Sequence, residues 1–187
     1  SAADVPSTPT SASQHTGAGG VVTGTLTATD PLGKALTYTA SGSGGPANGV
    51  VTVTPSGAYT YTPNTQAQAN ASVGGPTTDS FTVTASNGTY TSTAGTISVP
   101  ITPTADTPST PNAASLNVNV TTGVVSGSAS STDPAGKSLV YAVASGPSSG
   151  QVKLNSTTGA FTYTPTPTAQ AQASVGGAQT DSFTITA

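Results

Sequence analysis

GAYTYTPNTQAQANASVGGPTTDSFTVTA, residues 57–85, returns without a gap as GAFTYTPTPTAQAQASVGGAQTDSFTITA, residues 159–187. Within each copy, AYTYT or AFTYT and then SFTVTA or SFTITA set an apolar or aromatic residue against Thr at every second position. That period of two is the signature of a half-buried strand. The branched Cβ of Thr suits the exposed side of the pleat. The alternation breaks only at TQAQANAS, near 65–72, and TAQAQAS, near 168–174, where a short helix or a pair of turns is expected.

The repeat extends outward in both directions. VVTGTLTATDPLGKALTYTA, residues 21–40, matches VVSGSASSTDPAGKSLVYAV, residues 124–143, and DVPSTP at Asp4 reappears as DTPSTP at Asp106. Self-similarity on this scale means two copies of one module, here residues 1–103 and 104–187. Their joint is ITPTADTPSTP, in which proline fixes φ and keeps the chain extended and moderately stiff.

Strands are expected at 21–29, 35–40, 49–54, 58–62, 80–85 and 93–101. A further strand precedes residue 20 and is clearer in the second copy as LNVNV, residues 116–120. Seven short strands between Gly, Pro, Asn and Asp turns describe an all-β chain of two tandem antiparallel Greek-key sandwiches. The inward residues should be Leu36, Tyr38, Ala40, Val51, Val53, Phe81, Val83 and Ala85. Their counterparts are Leu139, Tyr141, Val143, Val152, Leu154, Phe183 and Ile185. The first copy continues past TVTA into SNGTYTSTAGTISVPI, whereas the second stops at TITA187. The second sandwich therefore lacks its last strand. Truncation of a longer array is expected, and the alternative is a strand donated by another molecule.

Composition narrows the function. Only 5% of the 187 residues are charged, the net charge is -3, and there is no Cys. Thiol chemistry and disulfides are excluded, and three lysines cannot neutralise a phosphate backbone, so no nucleic-acid partner is expected. No apolar run approaches the roughly 20 residues of a membrane helix. His15, in a Gly, Ser and Thr-rich segment with no acid at a meaningful spacing, reads as a solvated loop residue. Serine nucleophiles need a base and an oriented third group, and the carboxylates do not pair, so no enzyme is expected. GSGG, GAGG and VGG read as turns.

TDPLGK (29–34) and TDPAGK (132–137) decide the remaining chemistry. Alone, each offers one carboxylate and an ammonium, which is a turn and not a calcium loop. The six acids nevertheless fall into repeat-equivalent pairs: Asp4 with Asp106, Asp30 with Asp133, and Asp79 with Asp181. In a Greek key, Asp30-type and Asp79-type residues lie at opposite poles, which would gather Asp79, Asp106 and Asp133 at the module joint. Calcium is one candidate cation there and Lys137, as an interdomain latch, is another; the third reading is that each Asp merely caps its own turn. No other cofactor is implied. A Lys34 to Asn87 isopeptide crosslink would need a buried carboxyl beside the pair. Surface T-x-T rows could bind ice or sugar. Asn70, Asn87, Asn119 and Asn155 stand in N-x-S/T sequences, and the PSTP stretches could carry O-linked sugar.

ATDPLGKALTY, GVVTVTPSGAYTYTP and TDSFTVTASNG resemble the VCBS and cadherin-like, immunoglobulin-like tandem repeats of bacterial surface adhesins, over most of both copies. The resemblance implies a sandwich fold, export to the cell surface or medium, and service in an array as a structural or adhesive fibre segment. Family members usually carry further acids in this turn, where the present chain has Leu32 and Lys34, or Ala135 and Lys137. The expected partners are neighbouring repeats of the same chain, other copies through strand donation, and a glycan or host-surface ligand. Two alternatives stand: a carbohydrate- or protein-binding module using apical loops such as SGSGGPANG (41–49), with Tyr90 as an exposed aromatic, and an accessory domain of a secreted enzyme.

Overall fold

The computed structural model describes residues 4–41 and 45–187. The chain splits into two compact units, Ser1–Asp106 and Thr107–Ala187.

Among the described residues the first unit is a seven-stranded sandwich. Strands β1 (Thr10–Thr16), β2 (Val22–Thr27), β5 (Ala58–Pro63) and β4 (Gly49–Val53) form one sheet in the order β1-β2-β5-β4, and β3 (Thr37–Ala40), β6 (Thr78–Ser86) and β7 (Gly95–Pro100) form the other, in the order β3-β6-β7. All pairs are antiparallel. Four strands facing three in this connectivity is the constant-type immunoglobulin arrangement. The alternation that predicts the strands also builds the core: Val22, Leu26, Tyr59, Tyr61, Phe81, Val83, Ile97 and Val99 are all buried, with Tyr38, Val51 and Val53 packed around them. Tyr59 and Phe81 meet edge to face across the two sheets, ring centres 5.4 Å apart, a geometry that adds to area burial.

Tyr59 also shows how this core tolerates a polar tip. Its ring lies over Gly24, its cross-strand partner on β2. Its hydroxyl is met by Ser11 Oγ and by Gln14 Nε2, each at 3.0 Å. The edge strand β1 buries none of its own residues, so its contribution is to satisfy a core hydroxyl and to cap the sheet with polar side chains.

Between β5 and β6 the broken alternation becomes helix α1 (Thr65–Ser72). Asn64 Oδ1 accepts from Ala67 N at 2.7 Å, an N-cap, and Gly74, at φ 93°, ends the turn. Eight residues do not hold a helix in water alone. Here Ala67 and Ala71 pack on Ile101, just beyond β7, and Gln68 Nε2 donates to the carbonyls of Gly19 and Thr102.

The second unit repeats one sheet and part of the other. Strands β8 (Asn112–Val118), β9 (Val125–Ser130), β12 (Ala160–Pro165) and β11 (Gly150–Leu154) form the order β11-β12-β9-β8, and β10 (Ala142–Ser145) pairs with β13 (Thr184–Thr186). Among the described residues nothing corresponds to β7. Phe161 and Phe183 reproduce the edge-to-face contact at 5.2 Å, but Phe183 and Ile185 are only half-buried where Phe81 and Val83 are 1% and 0% exposed. Helix α2 (Pro167–Ser174) forms on an N-cap from Thr166 and buries no residue. Two expectations shift here. The strand expected at 116–120 ends at Val118, because Asn119 Oδ1 accepts from Thr121 N and Thr122 N and turns the chain. Val143, expected inward, is 37% exposed.

Candidate functional site

Both TDP-x-G-K segments are Asx turns. Asp30 Oδ1 accepts from Leu32 N at 3.0 Å and Lys34 N at 2.8 Å, and Gly33 takes φ 70° to close the turn onto the Asp30 carbonyl. In the second unit Asp133 Oδ1 accepts from Lys137 N at 2.7 Å, and Gly136 has φ 73°. Only glycine adopts that region without strain.

The first turn belongs to a larger cluster. Lys34 Nζ lies 2.6 Å from Asp4 Oδ2. Asn87, just past the end of β6, donates Nδ2 to Asp30 Oδ2 at 2.7 Å, to the Asp4 carbonyl at 2.9 Å and to Asp4 Oδ2 at 3.3 Å. Its own Oδ1 accepts from Thr89 N and Tyr90 N. One asparagine thus joins the N-terminal lead-in, the β2–β3 turn and the β6–β7 loop. Burial would raise the Asp30 pKa, but the Asn87 amide, the Lys34 and Leu32 N–H groups and the nearby ammonium together hold it below the usual value. Asp4 raises the Lys34 pKa. Asp4 is the carboxyl that an isopeptide crosslink would require, with its side chain 13% exposed between Lys34 and Asn87. Lys34, however, is 45% exposed and held as an ammonium, so the arrangement is an ion pair and lacks a neutral amine nucleophile. The Asn87 amide, fully engaged, is also a poor glycan acceptor.

Three residues on, Ser7 and Thr29 form a reciprocal pair: Ser7 N donates to the Thr29 carbonyl and Thr29 N to Ser7 Oγ, both at 2.8 Å. Ser109 and Thr132 do the same in the second unit, at 2.8 and 2.9 Å.

Asp79 sits at the other end of β6 from Asn87 and faces into its own unit. Its Oδ1 accepts from Ala47 N at 3.1 Å and Ser80 N at 2.8 Å, and its Oδ2 from Asn48 N at 2.7 Å and the Tyr61 hydroxyl at 3.0 Å. Asp181 accepts in the same way from Ser148 N, Ser149 N, Ser182 N and the Tyr163 hydroxyl. The repeat equivalence of these two residues therefore has an explanation inside each unit, where one carboxylate pins the loop before β4 or β11 to the start of β6 or to Ser182. Sequence reasoning missed this. The signal was present in the fixed spacing of Asp79 to Tyr61 and of Asp181 to Tyr163, but hydrogen-bonding to a loop 31 to 33 residues away leaves no local pattern.

The electrostatics follow from that geometry. Burial pushes both carboxyl pKa values up, and the N–H and O–H donors outweigh it. Asp79 ends below its ordinary value and Asp181 at about 2. The buried Tyr61 hydroxyl is pushed up, first by burial and then by Asp79. Groups whose folded pKa is depressed contribute stability that is present above the unfolded value near pH 4 and is lost as pH falls through the folded value. The melting temperature should accordingly be flat from pH 7 to about 5 and drop between about 4 and 2. Circular-dichroism melts of Asp79→Asn with Asp181→Asn should show a lower plateau and a flatter acid limb. An unchanged acid limb would remove the carboxylate clamps as its cause.

Of the other sequence candidates, Asp106 is the last residue of the first unit, and Lys137 lies exposed in its turn. His15 is exposed on β1, opposite Thr23. Tyr90 is 44% exposed. Residues 42–44 of the SGSGGPANG loop lie outside the described residues. Among those described, no three His, Cys, Asp or Glu side chains form a metal-binding group, and no helix is long and apolar enough to cross a membrane.

No curated protein matches the chain. Among solved structures, an endo-fucoidan hydrolase of glycoside hydrolase family 107 aligns at 16% identity and a TM-score of 0.37, over 88% of this chain and 24% of its own. The Escherichia coli adhesin FdeC aligns at 18% identity and a TM-score of 0.24, over 84% of this chain and 54% of its own. The chain thus spans a minor part of the first and about half of the second, and likeness at these scores carries no argument about function. The family model described as "Bacterial Ig domain" matches residues 3–100. With the four-on-three strand order of the first unit already in hand, that match places the chain in the bacterial Ig domain family.

Proposed function

We propose that the chain is a non-enzymatic structural or adhesive stalk segment of a secreted or cell-surface bacterial repeat protein, of the VCBS or cadherin-like type. The observation that carries this reading is where the chain places its scarce charged side chains. Asp4, Asp30, Asp79 and Asp181 are all engaged in holding their own unit together, and the Asp79 clamp of the first unit is repeated by Asp181 in the second. A ligand site would need such groups turned outward. Carbohydrate binding through the 41–49 loop and an accessory role beside a secreted enzyme are the competing readings.

Calcium is not required under this proposal, although Asp79, Asp106 and Asp133 were its sequence candidates. Both Asp79 oxygens already accept two donors each, and Ca²⁺ takes six to eight oxygens. The expected result is a melting temperature that is the same in chelator and in millimolar calcium, together with no saturable binding on a glycan array. A melting temperature several degrees higher with calcium would overturn the metal-free reading; saturable glycan binding abolished by changes within 41–49 would replace the stalk with a binding module.

A further inference from the structure

Two loops of the second unit are built on one pattern. N-V-T-T-G, residues 119–123, joins β8 to β9, and N-S-T-T-G, residues 155–159, joins β11 to β12. In the first, Asn119 Oδ1 accepts from Thr121 N at 3.0 Å and Thr122 N at 3.1 Å; in the second, Asn155 Oδ1 accepts from Thr157 N at 3.0 Å and Thr158 N at 3.1 Å. Each Asn carbonyl takes the N–H of the closing glycine, Gly123 at 2.7 Å and Gly159 at 2.9 Å, and both glycines have positive φ. The second Thr hydroxyl of each loop accepts from Val124 N or Ala160 N. These are Asx turns, and they use only the Asn Oδ1, so an aspartate would build them equally well. Two groups are left over in each. The Asn Nδ2 and the first Thr hydroxyl make no hydrogen bond among the described residues, and Asn119, Thr121, Asn155 and Thr157 are all exposed. The matching turns of the first unit, 17–20 and 54–57, lack the Asn. They are nevertheless exposed at 17–19 and 54–56, in a unit whose β7 is in place, so the accessibility of these loops belongs to the fold.

We propose that Asn119 and Asn155 are the acceptor sites of this chain for an N-linked sugar delivered by a diphosphate-activated donor, and that Asn70 and Asn87 are not, although all four stand in N-x-S/T sequences. An amide nitrogen is a poor nucleophile, because its lone pair is shared with the carbonyl. Two N–H donors on Oδ1 draw electron density toward the oxygen and make the Nδ2 protons more acidic, which eases activation by a base. In the transfer, Nδ2 bonds to the anomeric carbon as the bond from that carbon to the phosphate oxygen breaks. The electron pair leaves with the diphosphate, and one Nδ2 proton passes to the base of the transferase. The free Thr hydroxyl two positions on is the group through which an N-x-S/T sequence is read, and here it faces solvent. The other two asparagines fail on both counts. Asn87 Nδ2 is committed to Asp30 and Asp4, and the residue is half-buried. Asn70 is half-buried within α1, where the Ser72 hydroxyl donates to the Ala69 carbonyl at 2.7 Å, so an enzyme could read that sequence only by unwinding the helix. The two favoured loops stand at opposite ends of the β11-β12-β9-β8 sheet, since Val125 pairs with Tyr163 and Ser128 with Ala160. A sugar on each would place a bulky, solubilising group at both ends of a unit with very few charges.

The test uses the folded 187-residue chain with two transferases specific for N-x-S/T asparagine, one supplied with a nucleotide-linked hexose and the other with a lipid-linked oligosaccharide. Peptide mass mapping should find sugar at Asn119 and Asn155 with at least one donor, at rates at least about tenfold above Asn70 and Asn87, whose modification has to wait for local opening. Short synthetic peptides carrying each of the four sequences should be modified at comparable rates, which assigns the difference to the fold. Asn119→Asp with Asn155→Asp keeps both Oδ1 acceptors, so that chain should melt as the parent does and take no sugar. Thr121→Val with Thr157→Val keeps both N–H donors, removes only the free hydroxyls, and should also stay unmodified. Failure of both donors on the folded chain, modification of Asn70 or Asn87 as fast as of Asn119 and Asn155, or sugar persisting on either double variant would each overturn the proposal.

Discussion

Replacing Phe81 by Ala should destabilise the first unit by about 4 kcal/mol, while the repeat-equivalent Phe183→Ala should cost the second unit only about 1 to 2 kcal/mol. The residues are the same type, in the same register, and each makes an edge-to-face contact with an aromatic of the facing sheet. What differs is closure. Phe81 is 1% exposed with Ile97 opposite it on β7, so its removal leaves a cavity walled on all sides. Phe183 is half-buried and lines a cleft of about 860 Å³ within the second unit, together with Leu116, Phe161 and Ile185, so the walls around it can relax. For a unit of this size the first change corresponds to a fall in melting temperature of roughly 20 °C. Native-state amide exchange reads the two units separately. Equal losses in both would mean that the second unit is closed in solution and that the cleft does not exist.

Gly24→Ala against Gly127→Ala poses the same question through added volume. A Cβ at Gly24 would stand 2.3 Å from the Ser13 carbonyl and 2.4 Å from the Tyr59 ring. The carbonyl belongs to the β1 ladder, and the tyrosine is fixed by Ser11 and Gln14. Neither can move without breaking several bonds, so the expected loss is about 3 kcal/mol. At Gly127 the closest atoms are Leu116 Cδ2 and Phe161 Cζ, both at 2.8 Å, and the nearest main-chain atom is 3.2 Å away. Leu116 is 62% exposed and its tip can swing aside, while the buried Phe161 ring must shift slightly against the half-buried Phe183, which puts the loss at about 1 to 2 kcal/mol. Urea unfolding of the two variants checks the ordering, and a reversed order would refute the account of β1 as a rigid edge.

The elements that the sequence made legible are those whose cause is local. The Thr alternation placed β5 and β6 to within a residue or two because burial on one face of a strand writes itself into every second position. The broken period at 65–72 marked α1, and the Asp-Pro-x-Gly order marked two Asx turns. Features that depend on the third dimension were not written locally. Asp79 looked like a joint residue because its class repeats, yet its partners, Ala47, Asn48 and Tyr61, lie in other strands and loops. The Asp4, Lys34 and Asn87 cluster draws on three segments separated by 30 and 53 positions in the chain. Asn87 was noted only as a sugar acceptor or crosslink partner. Val143 failed as a core residue because alternation reports which way a side chain points and not whether anything stands opposite it.

The Ser7–Thr29 and Ser109–Thr132 pairs have a mechanical meaning. Each joins the lead-in of its unit to the end of β2 or β9 by two short rungs before the first strand begins, and in the first unit the Asp4–Lys34 ion pair lies further upstream still. Tension arriving from the N-terminal side therefore meets these cross-ties ahead of any sheet, and β1 is shielded from peeling until they have given way.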